Sequence, residues 1–331
     1  MTLRKNLAIL SMTALLCSAA QAAPPDAFNQ FTSQLSNDSS ILSGWISNQL
    51  KYVIPFNSTS GNVIPTQLKV LGFEFGVAGV VSATELDNGA LHSLNTQLIN
   101  TQSIDSFSRL PFPMVLGQAK IGLPFGLDAG VRFGGIPKTN INNGNTKSSI
   151  QNTVIGIDLR KKIIEEGISK PFGLTMGFNY THANGSVDIT NTFNSRNTTI
   201  TSGGTTYTAS LNNGTAADHA DWSTDSYGIQ AILDKKILIF TPYIGASANY
   251  NSGNISNSIT ASGTAAFTDG SSQNVSASGS SASAANSWDL RALFGFDFTI
   301  LPFTRLGLQG EYAGDKNIAG SLGLRVQFGG V

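Results

Sequence analysis

The stretch Trp288–Ile300 alternates without a break. Trp288, Leu290, Ala292, Phe294, Phe296, Phe298 and Ile300 are apolar. Ser287, Asp289, Arg291, Leu293, Gly295, Asp297 and Thr299 are small, polar or charged, Leu293 being the exception. Successive side chains of a β-strand point to opposite faces, so this segment has one oily face and one wet, charged face. Three phenylalanines at every second position are a liability in water and make sense against lipid. Composition agrees: of 331 residues only 12% are charged, 40% are hydrophobic, and the formal net charge is zero. A soluble protein carries about twice that charged fraction. No internal run of about eighteen apolar residues exists, so no transmembrane helix is expected in the mature chain. What remains is an all-β secreted protein or a β-barrel in a membrane. With no net charge and no basic stripe, nucleic acid is not an expected partner.

The N-terminus reads as a secretory signal peptide over residues 1–22. Arg4 and Lys5 form a basic region, Leu7 to Ala20 an apolar one, and Ala20-Gln21-Ala22 a small-residue cleavage site. A lipoprotein signal centred on Cys17 is the competing reading, and Leu16 is too bulky for it. Cys17 is the only cysteine, so the mature chain has no disulfide to hold it. Residues 23–65 are expected to form a helical segment, either a periplasmic cap or a plug. Within 26–52, Phe28, Phe31 and Leu35 share one helical face, and Ile41, Leu42, Trp45, Ile46 and Leu50 another, with a break at Asn37-Asp38-Ser39.

From residue 66 to 331 the chain reads as strands and loops. Alternating segments recur at Leu71–Val81, Val115–Leu123, Phe125–Phe133, Ile155–Arg160, Phe172–Tyr180, Tyr227–Asp234, Phe240–Tyr250, Trp288–Ile300, Arg305–Tyr312 and Ser321–Phe328. That is about ten strands of bilayer-crossing length, or twelve if loop hairpins enter the sheet. Short connections (Leu123-Pro124, Ile163–Pro171, Lys235–Leu238, Leu301-Pro302) alternate with long ones (Asp87–Leu110, Pro137–Ser149, Ile189–Asp221, Asn251–Asn286). Asp315-Lys316-Asn317 is a short turn on the long-loop side. The two longest loops are rich in Ser, Thr, Asn, Gly and Ala. Their arms flank Ser202-Gly203-Gly204 and Asp269-Gly270, which predicts polar ribbons continuing beyond the membrane.

At this point the chain resembles bacterial outer-membrane β-barrel proteins, over roughly Thr66 to Phe328 plus the leader. The closing strand Leu322-Gly323-Leu324-Arg325-Val326-Gln327-Phe328 carries much of the resemblance, although Gly329-Gly330-Val331 follow the usual terminal aromatic residue. The resemblance implies a single antiparallel transmembrane β-barrel in the bacterial outer membrane, with outer-membrane lipid and the barrel assembly machinery as partners. It also implies an aromatic girdle, for which Tyr180, Trp222, Tyr227, Tyr250, Trp288 and Tyr312 are the candidates.

The wet faces collect Glu74, Lys120, Asp128, Arg132, Asp158, Arg160, Asp234, Asp289, Arg291, Asp297, Arg305, Glu311 and Arg325 as expected lumen-lining charges. The two signs nearly balance. In a narrow barrel they pair across the lumen for stability, or they line an aqueous pore and set its selectivity. No catalytic residues, cofactor or metal are expected. The chain has no Gly-rich phosphate cradle, metal-spaced Cys/His cluster or nucleophile elbow. Asp218-His219-Ala220-Asp221 is the one constellation for a rim hydrolase; Asp218 and His219 would face opposite ways on a strand, while Asp221 could share the face of His219, a parity that Ser223 and Asp225 also have. The functional expectation is therefore a barrel that passes or binds small solutes through a narrow, charge-lined lumen. The alternative is a closed structural or surface-interaction barrel acting through long Ser/Thr/Asn-rich extracellular loops.

Overall fold

The structure, a computed structural model, describes residues 26–61, 68–96, 98, 108–167, 169–202, 205–268, 270–314 and 317–329. The expected signal peptide and Cys17 lie outside the described residues. A long helix α1 (Ala27–Thr59) is followed by β1 (Phe73–Glu85), a short helix α2 (Asn88–His92), β2 (Arg109–Leu123), β3 (Leu127–Asn143), β4 (Thr146–Ile164), β5 (Gly173–Ser202) and β6 (Thr205–Asp234). Then come β7 (Phe240–Phe267), β8 (Ser272–Ala284), β9 (Trp288–Leu301), β10 (Thr304–Ala313) and β11 (Asn317–Phe328).

All strand pairings are antiparallel, and their order returns on itself. β1 pairs with β2 on one side and with β11 on the other, with Phe73 opposite Phe328. β6 pairs with both β5 and β7, and β7 with β9. β8 adds no width. It pairs with Asn254–Ala266 of β7 while β9 pairs with Phe240–Tyr250, so the two run end to end down the same side of β7. The sheet is thus a near-ring of ten columns, as the alternation predicts.

The strands are far from equal in length. β5 and β6 have 30 residues each and β10 has 10. At about 3.3 Å per residue, the former are roughly 100 Å long, against the nine to eleven residues a tilted strand needs to cross a bilayer. The expected long loops Pro137–Ser149, Ile189–Asp221 and Asn251–Asn286 are therefore mostly ladder, as their β-prone arms suggest. The outer halves of β3 to β8 form a tall polar wall on one side of the ring. Two boundaries differ from the sequence reading. Leu71 precedes β1 in a positive-φ conformation, and Phe125 occupies the tight 3-10 turn Pro124–Gly126 with φ 64°.

The faces follow the period-two pattern. Phe75, Val131, Ile157, Ile229, Ile244, Leu290, Phe294, Leu308 and Leu322 all point out and stay exposed, Phe294 at 55%. Phe240 stacks on Phe296 at 5.2 Å along this outer belt. Leu293, the exception in the founding pattern, faces inward and packs on Ile232 and Tyr243.

α1 is one continuous 33-residue helix, not two with a break at Asn37-Asp38-Ser39. Protein around the helix meets Asp38 within the expected break and Ser43 one turn on. Asp38 accepts from the Leu98 amide at 2.6 Å, and Ser43 Oγ donates to the Asn257 carbonyl at 2.7 Å. Tertiary partners thereby override weak local propensity. Phe31 and Leu35 pack among Ile200, Tyr207, Phe267 and Val275 near the hairpin tips. Leu42, Trp45, Ile46 and Leu50 pack lower down, on Phe112, Trp222, Ile255 and Ile259. Pro55 lacks the N–H that would bond the Lys51 carbonyl four residues back. That carbonyl instead accepts from the Asn286 amide, between β8 and β9, at 3.1 Å.

The free edge of β8 is closed by this helix and not by another strand. Ser36 Oγ donates to the Ser278 carbonyl, and Ser47 Oγ lies 3.2 Å from Ser283 Oγ. Between them the helix backbone comes so close that a Cβ on Gly279 would meet the Ser40 nitrogen at 2.1 Å. Gly279→Val is therefore expected to lift α1 off the wall. The cost is about 1–3 kcal/mol, the usual range for overpacking, read as a lower unfolding midpoint together with faster proteolysis within α1. Unchanged protection of the helix would refute the close approach.

Candidate functional site

The interior of the ring is the most chemically distinctive region. Alternation turns one side chain in two inward, and every sequence-predicted lumen charge is found there. Glu74, Lys120, Asp128, Arg132, Asp158, Arg160, Asp234, Asp289, Arg291, Asp297, Glu311 and Arg325 are buried, and Arg305 nearly so.

Nearest the short turns, Glu74 pairs with Lys120 at 3.4 Å and with Arg325 at 3.0 Å. Arg325 also binds Asp297, which pairs with Arg305 at 3.2 Å. Arg160 joins Asp158 at 2.9 Å to Asp128 at 3.4 Å. Lys162 closes on Asp234 at 2.7 Å. In a low-dielectric interior each such charge is tolerable only with its partner in place. A void of about 30 Å³ remains beside Gly61 and Arg325, room for about one water.

Higher up, the end of α1 completes the filling. Arg291 pairs with Asp289 and, at 3.0 Å, with Glu311. The same guanidinium donates to Ser60 Oγ at 3.2 Å and to Thr59 Oγ1, and it lies 4.3 Å from the centre of the Phe56 ring. Glu311 accepts the Gly61 amide at 2.6 Å. Arg132 makes no ion pair among the described residues. It reaches the Thr59 carbonyl at 3.5 Å and the Thr181 hydroxyl. A helix C-terminus carries partial negative charge and unbonded carbonyls, so two arginines are the complementary receptor. The charge alternation could not reveal Phe56, Thr59 and Ser60 as part of this site. The run Ser58-Thr59-Ser60-Gly61 after an apolar stretch was the available signal of a helix end.

Five of the six girdle candidates lie on the outer face. Tyr180 and Tyr227 sit 5.1 Å apart, and Tyr250 and Trp288 5.3 Å apart, with Tyr312 exposed on β10. Trp222 does not join them. It is 1% exposed and faces inward, donating to Asn152 Oδ1 at 3.1 Å and meeting Phe112 edge-on.

The Asp218–Asp221 constellation is split across the wall. His219 lies on the outer side, with Nδ1 2.6 Å from Asp188 and Nε2 3.6 Å from Asp221. Asp218 points the other way and accepts from Asn257 Nδ2 at 2.6 Å. The histidine and the inner carboxylate therefore share no substrate face. Among the described residues no group of three or more His, Cys, Asp or Glu has metal-holding geometry.

Burial lifts the Asp218 carboxyl to about 6, against the opposing pull of Asn257 and His219. The folded state therefore binds this proton more tightly than the unfolded chain. Its contribution to stability is complete below about pH 4 and fades as the pH rises through 6. Asp218→Asn is expected to stabilise the fold by on the order of 2 kcal/mol at pH 7.5, and by nothing at pH 4. Paired denaturation curves at the two pH values check this, and equal gains at both would exclude it.

At the mouth of the ring, a solvent-open cavity of about 640 Å³ lies between α1 and the end of β1. Asn48, Gln49, Tyr52, Thr84, Glu85, Asp87 and Asn88 line most of it.

The family model described as "Family of unknown function (DUF6588)" matches residues 77–328, from β1 to the last residue of β11. The chain belongs to this family. A search of curated proteins returns no match. Among solved structures the chain is similar to the outer membrane protease OmpT from Escherichia coli, at 8% identity, covering 81% of this chain and all of that one, with a TM-score of 0.38. It is also similar to the transport unit of the autotransporter AIDA-I from Escherichia coli, at 13% identity, 90% and 98% coverage and a TM-score of 0.34. A third is the translocator domain of the autotransporter NalP from Neisseria meningitidis, at 10% identity, 92% and 99% coverage and a TM-score of 0.29. The resemblance is to a class of bacterial outer-membrane proteins with diverse roles.

Proposed function

We propose that this protein is a closed outer-membrane β-barrel that acts through its projecting polar wall and not through a pore. The exposed apolar belt meets lipid, the outward tyrosines and Trp288 sit at its outer boundary, and the short turns face the periplasm. The paired edges of β1 and β11, ending at Phe328, are the seam that the barrel assembly machinery would close. The observation that carries this reading is the ion-paired interior capped, among the described residues, by the end of α1. Charges of both signs neutralise one another across the ring, and the end of α1 occupies the space above them. The same filling weighs against passage of solutes. The wall of Ser, Thr and Asn side chains is the surface offered to the exterior, and no catalytic step is part of the proposal.

Planar-bilayer recording on refolded protein tests this directly. The full mature chain is expected to insert without steady conductance. On intact cells producing the protein, the hairpins of β5–β6 and β7–β8 should be open to externally added protease. A sustained ohmic conductance, or hairpins protected on intact cells, would each refute the proposal.

A further inference from the structure

We infer that α1 threads the ring with its N-terminal end outward, so that its first turns, from Ala27 to Ser33, are displayed outside the cell. The inference rests on the outer-membrane reading above, but its direction comes from contacts that do not depend on it. Phe31 and Leu35 touch Ile200, Tyr207 and Phe267. Those residues flank the hairpin tips at the long-connection end. Thr59 and Ser60, at the other end of the helix, lie on Arg291 within the ring. Beyond them Gly61 bonds Glu311, and the chain emerges where the Leu71 amide donates to the Gly122 carbonyl, beside the Pro124–Gly126 short turn. The described residues therefore lie at the outer tips at the start of α1, within the ring at its end, and at the short turns just before β1.

Length agrees with this path. Thirty-three helical residues span about 50 Å, enough to reach from the ring's interior to the top of the wall. The first turns also present a polar stripe to solvent, with Asn29, Ser33 and Asn37 exposed. Among the described residues an ion-paired layer lies beneath Thr59, in the path that a helix carrying Trp45 and Phe56 would need to slip through afterwards, so α1 must be enclosed as the ring closes. A barrel built this way holds the start of α1 on the exterior.

Single-cysteine variants decide the matter, since the only native cysteine, Cys17, lies in the expected leader. Asn29→Cys marks the helix start, Ser276→Cys the outer wall and Lys170→Cys a short turn; all three positions are exposed. In detergent-solubilised folded protein all three should react with a membrane-impermeant maleimide. On intact cells Asn29→Cys should label as fully as Ser276→Cys, while Lys170→Cys labels only after the outer membrane is permeabilised. If Ser276→Cys labels on intact cells and Asn29→Cys does not, the threading is overturned and the barrel reading stands. If Ser276→Cys stays silent, or Lys170→Cys labels first, the orientation itself is wrong and both fall. Failure of Asn29→Cys to react even in detergent would place the helix start somewhere other than the tips.

Discussion

Arg291→Ala is expected to lower stability by about 3–5 kcal/mol, the range for removing one partner of a buried ion pair. The guanidinium is fully enclosed and serves Asp289, Glu311, Thr59, Ser60 and the Phe56 ring together. Truncation takes the paired guanidinium from Asp289 and Glu311 and removes one of the two arginines at the helix end. The loss has two readouts. The denaturant midpoint of the refolded protein falls, and α1 becomes a protease substrate before the sheet unfolds. Arg291→Lys keeps the charge but not the planar fork, and should fall between. A change within about 0.5 kcal/mol, as at ordinary surface sites, would mean that Arg291 does not hold the helix.

Trp222→Ala should cost a comparable amount, about 3–5 kcal/mol, because a large buried ring is replaced by a cavity. The indole lies between the wall and α1, and its packing is tight. A Cβ on Gly185 would meet it at 2.6 Å. Trp222→Phe fills most of the space but leaves Asn152 without its donor, so a loss of about 1–2 kcal/mol is expected. Fluorescence separates this placement from the girdle reading. Brominated lipid should quench Trp288, which is outward and exposed, and leave Trp222 unaffected. Quenching of Trp222, or a loss on Trp222→Ala below about 1 kcal/mol, would return the residue to the outer surface.

Most of the ring was legible because strand periodicity is local. Asp289, Arg291, Asp297, Arg305, Glu311 and Arg325 all follow from parity alone, and parity already sends Phe294, Phe296 and Phe298 outward. The balance of signs on the inward face anticipates pairing, since an unpaired buried charge costs several kcal/mol, and most of these charges do pair. Parity also places Trp222. It shares parity with Gln230 and Asp234, which are inward, and not with Tyr227. Aromatic character alone suggests an interface position, whereas register sends this side chain inward.

The N-terminal segment was legible only in part. Its apolar spacing shows a helix, but a helix stripe says that a partner exists and not which one. Asn37-Asp38-Ser39 reads as a break because nothing within that segment announces the Leu98 amide or the Asn257 carbonyl nearby. Nor can Pro55 reveal from sequence that its missing donor leaves the Lys51 carbonyl for Asn286, more than two hundred residues away.

The sequence by itself determined which side chains turn outward and which turn inward, because a strand's two faces depend only on counting by two. The tertiary structure alone decided that the end of α1 meets the inward charges. That outcome depends on Arg132 and Arg291 meeting the end of α1, on Gly279 letting the helix lie against β8, and on the ring's returning to its first strand. Each joins residues far apart in the chain. Their encounter is set by the closing of the whole sheet and by no pattern within any one segment.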